Sequence, residues 1–442
     1  MNIAVLGMGY VGLAGGMAFA KQGHNTICTT TTPLKAENLN NGIPPFFEPG
    51  LDQLVKDMVD IGRLRGSTNN VDVVKRSDVT FICVGTPPQA DGSADLSAIE
   101  EVSKDIGVAL RNKQSYHVIV AKSTIPPGTT DGIILPTIEK YSGKKVGDDF
   151  GLCMNPEFLR QGDAVHDSLN PDRIVIGEYD SRSGDVLEEI YSDYDCSIMR
   201  CDIKAAELIK YAANSLLATK ISFANEFSRI CEVFNIDVYE VMQGVGLDFR
   251  INPRFLNAGC GFGGSCFPKD VNAIVALAHS IDVETPLLDA VLLNNEMQPM
   301  HFVDIIEKAV GDVEGKVVAF LGLSFKPNTG DVRETRALPL IKMLHDKGAR
   351  IKAYDPKAIE NFKRLTEVPV EYYERWEDAL MGSDFAVIQS DWNEIKEITP
   401  EEYQKLMKNP IIMDGRRTYE PNTMIGKDVE YYGIGWKNRD NR

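Results

Sequence analysis

No stretch of this chain stays apolar long enough to span a bilayer, so a membrane-embedded fold is not expected. Paired cysteines are missing as well. The eight cysteines are scattered and none of their spacings makes a CxxC pair, which argues against zinc or a disulfide framework and for a reducing cytoplasm. Positive charge is scarce: 47 Lys and Arg stand against 64 Asp and Glu, for a net charge of -17. That balance argues against a nucleic-acid or anionic-membrane partner, while leaving room for a local basic pocket that takes a phosphorylated ligand. Met1 leads straight into the strand-like NIAVLG with no basic region and no cleavage site, so no signal peptide is expected. Short-period repeats and low-complexity segments are also lacking, and no metal site is indicated. The remaining composition, 43% hydrophobic and 25% charged over 442 residues, is that of a soluble globular protein with two to three domains.

The first motif follows the first strand. The apolar run 2–7 ends in Gly7-Met8-Gly9-Tyr10-Val11-Gly12, which opens a helix of small residues, LAGGMAFAKQG. GxGxxG in this strand-turn-helix setting predicts a dinucleotide site at Gly7, Gly9, Tyr10, Val11 and Gly12, with the pyrophosphate at the helix N-terminus. A second strand, near 25–30, should end in an acid that holds the adenosine ribose. Instead it runs Cys28-Thr29-Thr30-Thr31-Thr32-Pro33, and the first carboxylate is Glu37. Thr30 can bond the ribose without the charge-assisted grip of a carboxylate. Loss of the acid also removes the repulsion that excludes a 2′-phosphate, which Lys35 can then reach. NAD and NADP both stay open as cofactor.

Apolar strands then alternate with helical patterns: VTFICVGTPP, a helix over about 96–110, and HVIVAKSTIPPGTT. This alternation predicts a parallel sheet covered by helices, with ligands at the strand ends, where Thr86 and Thr124 lie. Either threonine is equally well explained as a turn residue. After a further strand comes Asn155-Pro156-Glu157-Phe158-Leu159-Arg160-Gln161-Gly162. Glu157 reads as a general base whose pKa a closed cleft raises towards neutrality, or else as a loop acid. A long helix from Asp202 to about Phe234 places Lys210 and Asn214 on one face, and it is suited to bridge domains and to pair two copies.

From Ala258 to Asp270 the chain reads AGCGFGGSCFPKD. Its glycines allow close approach to a bound molecule, and Lys269 stands three residues beyond Cys266, where it can favour a thiolate. Cys266 is thus the candidate nucleophile, the alternative being a buried thiol beside a flexible loop. At Glu314 a second α/β pattern starts without GxGxxG. Its first loop carries Lys326, Arg333 and Arg336, and a later one Arg416 and Arg417, all suited to a pyrophosphate or to surface charge. The expected fold is α/β, with two Rossmann-like doubly wound domains, 1–200 and 311–442, joined by a central helical region, 201–310, that contains the long helix.

With GMGYVG, VGTPP, KSTIPPGTT, NPEFLRQG, AAELIKYAANSLLATKISFANE, FLNAGCGFGGSCFPKD, LSFKPNTGDVRET and DGRR in this order, nearly the whole chain resembles the nucleotide-sugar dehydrogenases. The resemblance is to the branch that acts on UDP-glucose, in a group that also includes GDP-mannose enzymes. It implies NAD-dependent, four-electron oxidation of a sugar C6 alcohol to a carboxylate, giving UDP-glucuronate for polysaccharide synthesis. It further implies Cys266 as carrier of a thiohemiacetal and then a thioester, Lys210 and Asn214 as oxyanion stabilisers, Asp270 in proton transfer, Glu157 in thioester hydrolysis, and Thr124 holding the catalytic water. For the cofactor it implies Thr86, Thr124, Gln161, Lys269 and Arg333, beside the glycine motif.

For the substrate the resemblance implies Glu157, Phe158, Leu159, Arg160, Gln161, Lys210, Asn214, the segment Phe255, Leu256, Asn257, Ala258 and Gly259, and also Gly263, Lys326 and Arg416. Arg250 is implied to reach the sugar from a neighbouring subunit, hence a homodimer or higher oligomer. Thr30 and Thr32 depart from the family's acids, and Gln161 from a frequent glutamate. The same chemistry on a UDP-N-acetylhexosamine or GDP-mannose, and a nucleotide-sugar binding protein without catalysis, are the alternatives.

Overall fold

The structure, a computed structural model, describes residues 1–436, so the last six residues of the expected 311–442 domain lie outside the described residues. Two compact units emerge, Met1–Ala213 with Ala276–Ile281, and Asn214–Val275 with the chain from Asp282 onwards. The long helix Ile203–Phe234 gives its first turns, including Lys210, to the first unit and the rest to the second.

In the first unit eight strands form one sheet: β1 Asn2–Leu6, β2 Asn25–Thr29, β3 Leu64–Ser67, β4 Val79–Ile82, β5 His117–Ala121, β6 Phe150–Met154, β7 Arg173–Glu178 and β8 Ser197–Cys201. Their order is β3-β2-β1-β4-β5-β6-β7-β8. Every residue of β4, β5 and β6 is buried, which is why these strands are near-continuous apolar runs and do not alternate. The strand order reverses between β1 and β4, and this topological switch opens a crevice at the carboxyl ends of the strands.

The parallel pairing expected of the VTFICV and HVIVA strands forms, but the sheet is not parallel throughout. β7 runs antiparallel to β6, with Cys153 opposite Glu178 and Met154 opposite Gly177, and β8 follows β7 in parallel. The connection from β6 to β7 carries the NPEFLRQG loop and the six-residue helix Ala164–Leu169, and it returns on the same edge. An antiparallel neighbour needs no long crossover. The apolar character of the strands, which is what the sequence displays, is the same in either direction.

The second unit contains the parallel sheet β11-β10-β9-β12-β13-β14, built from β9 Val317–Leu321, β10 Arg350–Tyr354, β11 Val370–Tyr373, β12 Phe385–Ile388, β13 Ile411–Asp414 and β14 Glu430–Gly433. It has the same reversal, here between β9 and β12, so both sheets are Rossmann-like, as expected.

The glycine turn after β1 is a steric necessity. Gly7 has φ +118, and a Cβ on it would lie 2.4 Å from the Cys83 carbonyl oxygen. A Cβ on Gly12 would lie 2.0 Å from the Gly7 carbonyl oxygen, whereas one on Gly9, the residue that caps the helix Tyr10–Lys21, would meet nothing within 4 Å. Gly7 and Gly12 thus close the turn, and Gly9 leaves its outer face open to a ligand. Gly12→Ala should cost about 1–3 kcal/mol or more of unfolding free energy, by overpacking against backbone that cannot yield. Gly9→Ala should stay within about 0.5 kcal/mol of the parent in the same urea titration.

Candidate functional site

In the first unit the site is built where β6 ends. Glu157 lies in the loop beyond Met154, with its Oε1 3.0 Å from the Lys210 ammonium; only 6% of the acid's side chain and 4% of the lysine's are exposed. The Leu159 amide donates to the other carboxylate oxygen at 2.7 Å. Burial pushes the Glu157 carboxyl up, but Lys210 beside it, the Leu159 amide and Lys122 outweigh burial and hold it below the ordinary glutamate value. The elevation expected from a closed cleft is therefore corrected: Glu157 is kept ionised, in the state in which a general base works.

Around this pair the loop is held from several sides. The Lys210 ammonium lies 5.6 Å from the centre of the half-buried Phe158 ring, and the Arg173 guanidinium 3.7 Å from it. Arg160, expected on a substrate, is exposed and forks onto Asp167 through Nε at 3.0 Å and Nη2 at 2.6 Å, closing the loop on itself. Leu159 and Gln161 are half-buried. Just beyond them the Gly162 and Ala164 amides donate to the buried Glu48 carboxylate at 2.9 and 2.6 Å. Sequence reasoning missed Glu48, whose only signal was an acid set among apolar and proline residues, IPPFFEPG.

Thr86 and Thr124 meet at neighbouring strand ends, where the Thr86 hydroxyl donates to the Thr124 carbonyl at 2.8 Å. Past Thr124, the Gly128 and Thr130 amides and the Thr130 hydroxyl donate at 2.6–2.8 Å to Glu207, a fully buried acid on the long helix three residues before Lys210. Burial raises the Glu207 carboxyl above its ordinary value, against these bonds. It too was missed.

At the cofactor end, Tyr10 packs its ring on Phe46 at 4.0 Å and Val11 is half-buried. The Thr29 hydroxyl is taken up by Asn70 at 2.6 Å, and the Thr30 hydroxyl accepts from the Thr32 amide at 3.2 Å. Lys35 stands exposed on the helix Pro33–Asn40.

In the second unit Cys266 is half-buried and immediately precedes the helix Phe267–Ser280, its carbonyl accepting the Asp270 amide at 2.8 Å. The Ser265 hydroxyl is 3.6 Å from the sulfur. A helix N-terminus favours negative charge, and a thiolate here receives that support. The Lys269 ammonium, expected to serve the thiol, lies 2.5 Å from Oδ1 of the buried Asp270, whose Oδ2 accepts from the Asn214 amide at 2.6 Å. Lys269, Asp270 and Asn214 thus form one hydrogen-bonded chain.

The segment before Cys266 is threaded through the second unit. The Tyr239 hydroxyl donates to the Ala258 carbonyl at 2.9 Å, and the Gly259 amide to Asn225 at 2.8 Å. Asn295 accepts from the Phe262 amide at 2.7 Å and donates to its carbonyl at 3.0 Å, while the Gly264 amide donates to the Arg333 carbonyl at 3.0 Å. A Cβ on Gly263 would lie 2.2 Å from the Glu334 carbonyl oxygen, and one on Gly259 2.9 Å from that of Gly415. The loop is therefore seated against the loops that carry Arg333 and Arg416.

Leu256 and Ala258 are buried, Phe255 is half-buried and Asn257 is exposed. Lys326 and Arg416 are half-buried. The exposed Arg333 pairs with Asp331 through Nε at 2.9 Å, and the exposed Arg250 with Asp248 through Nε at 2.9 Å. Arg417, which with Arg416 suited either a pyrophosphate or surface charge, pairs with Asp237 and lies over the Tyr239 and Trp436 rings. Asn225 and Asn295 were missed, since no local pattern marks an asparagine that will bond a distant loop. Among the described residues no cluster of three His, Cys, Asp or Glu side chains could hold a metal, and no helix is long and apolar enough to cross a membrane.

Comparison with known proteins places names beside this geometry. The UDP-glucose/GDP-mannose dehydrogenase family matches in three parts: its NAD binding domain over residues 1–195, its central domain over 204–297 and its UDP binding domain over 319–421. The chain is 42% identical over 437 residues to the Bacillus subtilis UDP-glucose 6-dehydrogenase YwqF, covering 99% of this chain and 98% of that protein. It is 39% identical to a GDP-mannose 6-dehydrogenase of Pseudomonas savastanoi, covering 88% of this chain and 89% of that one. The solved UDP-glucose dehydrogenase of Pyrobaculum islandicum superposes with a TM-score of 0.91 at 37% identity, covering 98% of both chains.

Lys210→Met should leave a buried carboxylate without its contact cation and lower the unfolding free energy by about 3 kcal/mol near pH 7. In the parent, the stability that the depressed Glu157 carboxyl contributes is fully present above its unfolded-state pKa and is lost as pH falls through the folded one. In the variant only the Leu159 amide and Lys122 still oppose burial, so Glu157 takes up a proton more readily on acidification. Urea titrations at pH 7 and pH 5 should therefore show the gap between the two proteins narrowing at the lower pH.

Proposed function

The chain belongs to the UDP-glucose/GDP-mannose dehydrogenase family, and on that premise we propose that it is a UDP-glucose 6-dehydrogenase that converts UDP-glucose to UDP-glucuronate. The observation that carries the reading is a half-buried thiol, Cys266, at the start of a helix whose first turn holds Lys269 and Asp270, the latter bonded to Asn214 of the long helix. An alcohol oxidised twice without release of the aldehyde needs a covalent anchor, and a thiolate is the side chain best suited to be one.

The glycine turn fits a nicotinamide dinucleotide: Gly9 leaves the helix N-terminus open, and Gly7 and Gly12 permit no side chain that would close it. When bound, the cofactor accepts one hydride in each of the two oxidations. The Cys266 thiolate adds to the C6 aldehyde to give a thiohemiacetal, whose second oxidation leaves a thioester on the sulfur. Glu157, ionised beside Lys210, takes a proton from water. The hydroxide adds to the thioester carbonyl, and collapse expels the Cys266 thiolate and frees the carboxylic acid, which ionises. Lys210 and Asn214 stabilise the oxyanion of these additions, Thr124 holds the water, and Asp270 passes protons. The balance is one alcohol, one water and two oxidised cofactors in, one carboxylate, two reduced cofactors and three protons out.

On the same reading residues 1–200 hold the dinucleotide. Residues 311–442 hold the UDP moiety with Lys326 and Arg416, and residues 201–310 link the two and pair two copies. Exposed Leu216, Phe223, Ile230 and Phe234, spaced along the long helix by seven, seven and four residues, make an apolar stripe that supports a homodimer. A second copy would bring the partner's exposed arginine at position 250 to a sugar.

Following reduced cofactor against sugar consumed should give two per UDP-glucose. Cys266→Ser should release no sugar acid, and full turnover by that variant would remove the assignment. GDP-mannose and a UDP-N-acetylhexosamine at equal concentration should be slower, since discrimination of this kind rests on pocket shape and a few polar contacts. Because Thr30 leaves the ribose end without a carboxylate, NADP should be accepted within about tenfold of NAD in kcat/KM. Thr30→Asp should restore discrimination in favour of NAD, read from the same initial rates.

A further inference from the structure

Behind the Glu157 loop, and outside the residues given a role above, a second lysine is drawn into the first unit. Lys122 follows β5, and its backbone amide donates to the Ile82 carbonyl at 2.9 Å. Its ammonium donates to Asn155 Oδ1 at 2.7 Å and lies 3.4 Å from the hydroxyl of buried Tyr191, which itself donates to Asn155 Oδ1 at 2.6 Å. Asn155 is tied on both sides: its amide nitrogen donates to the Val175 carbonyl at 2.8 Å and its backbone N–H to the Ala121 carbonyl at 2.8 Å. Lys122, Asn155, Glu157, Phe158, Ser168 and Tyr191 line one cavity of about 70 Å³. The Lys122–Tyr191–Asn155 knot therefore fixes the root of the loop two residues before Glu157, and shares a cavity with it.

We propose that Lys122 is a positioning residue for Glu157, supplying a second positive charge behind the carboxylate and fixing, through Asn155, the loop that carries it. The inference rests on the reading of Glu157 as the base that activates water. A methionine or glutamine would fill the same space without the cost of desolvating a cation, so the charge itself calls for a use. Lys210 holds Glu157 by direct contact, yet it must also answer an oxyanion when one forms. A second cation that touches no substrate keeps Glu157 ionised while Lys210 does so. The other titratable and charged groups facing this region are Cys83 beyond β4, Lys210 on the long helix, Asp167, Asp172 and Arg173 between β6 and β7, and Tyr191 and Tyr194 before β8. Burial lowers the Lys122 ammonium's pKa, with Cys83 and Glu157 opposing, and Lys122 is in turn among the groups that hold the Glu157 carboxyl low.

The test compares the parent with Lys122→Met and Lys122→Arg. In the pH profile of kcat on UDP-glucose, the acid limb of Lys122→Met should move up by about one unit, roughly tenfold in rate on the acid side. Lys122→Arg should retain the parent's limb. A merely structural role would lower the whole profile without moving the limb, and a folded Lys122→Met with the limb unmoved would overturn the proposal. The second readout needs no turnover: urea titrations of a double-mutant cycle of Lys122→Met with Glu157→Gln. The pair should be coupled at pH 7 and uncoupled below the carboxylate range, and additive effects at pH 7 would also overturn it. If the parent oxidises no nucleotide sugar, the proposed function falls, and the cycle alone decides whether Lys122 serves Glu157.

Discussion

Two opposite charges withdrawn from water and left 3.0 Å apart, on Glu157 and Lys210, set the terms for much of the first unit. Removing either ion from solvent costs several kcal/mol, and the attraction between them repays this only if the remaining valences are met. That requirement explains why the NPEFLRQG loop is so closely bonded. The Leu159 amide satisfies one carboxylate oxygen, Asn155 locks the loop's root to β5 and β7, and Glu48 gathers the amides at its far end. An ionised carboxylate in a dry setting can be kept only by a loop that does not drift. The antiparallel return of β7 belongs to the same arrangement, since it puts the Val175 carbonyl where the Asn155 amide needs an acceptor.

The second unit solves a different problem, that of holding a glycine-rich segment in one path. Glycine supplies close approach at the expense of conformational entropy, so a loop with this composition is ordered only if its backbone groups are claimed. Tyr239, Asn225 and Asn295 claim them one after another, and Gly263 and Gly259 lie so close to neighbouring carbonyls that no side chain would fit. Cys266 emerges from that ordered run at the start of a helix, and the thiol's position is thereby as well defined as the helix itself.

What was legible in the sequence and what was not divides along physical lines. GxGxxG could be read because its tightest constraint is local: Gly12 meets the Gly7 carbonyl five residues back, whatever the distant Cys83 adds. The long helix was legible from its uninterrupted pattern, and Cys266 from its company. Glu48, Glu207, Asn225, Asn295 and Lys122 were not, because each acts on a segment 30 or more residues away in sequence, and a lone acid, amide or lysine carries no record of that partner. The sign of the Glu157 shift was misjudged for a related reason. Burial is visible in an apolar context, but the lysine that overrides it comes from another element.

The cofactor end shows how unevenly a binding site can be specified. Pyrophosphate recognition depends on backbone amides, a helix terminus and the absence of side chains, and all three are intact around Gly9. Ribose recognition depends on one side chain at the end of β2, and there the Thr29 hydroxyl is taken up by Asn70 while the Thr30 hydroxyl is turned to the Thr32 amide. The two halves of the site are therefore separable. Backbone geometry fixes that a dinucleotide fits, because changing it would disturb the turn on which β1 and its helix close. The side chain that follows β2 is not part of that turn: Thr30 is half-buried, and its hydroxyl accepts from the Thr32 amide.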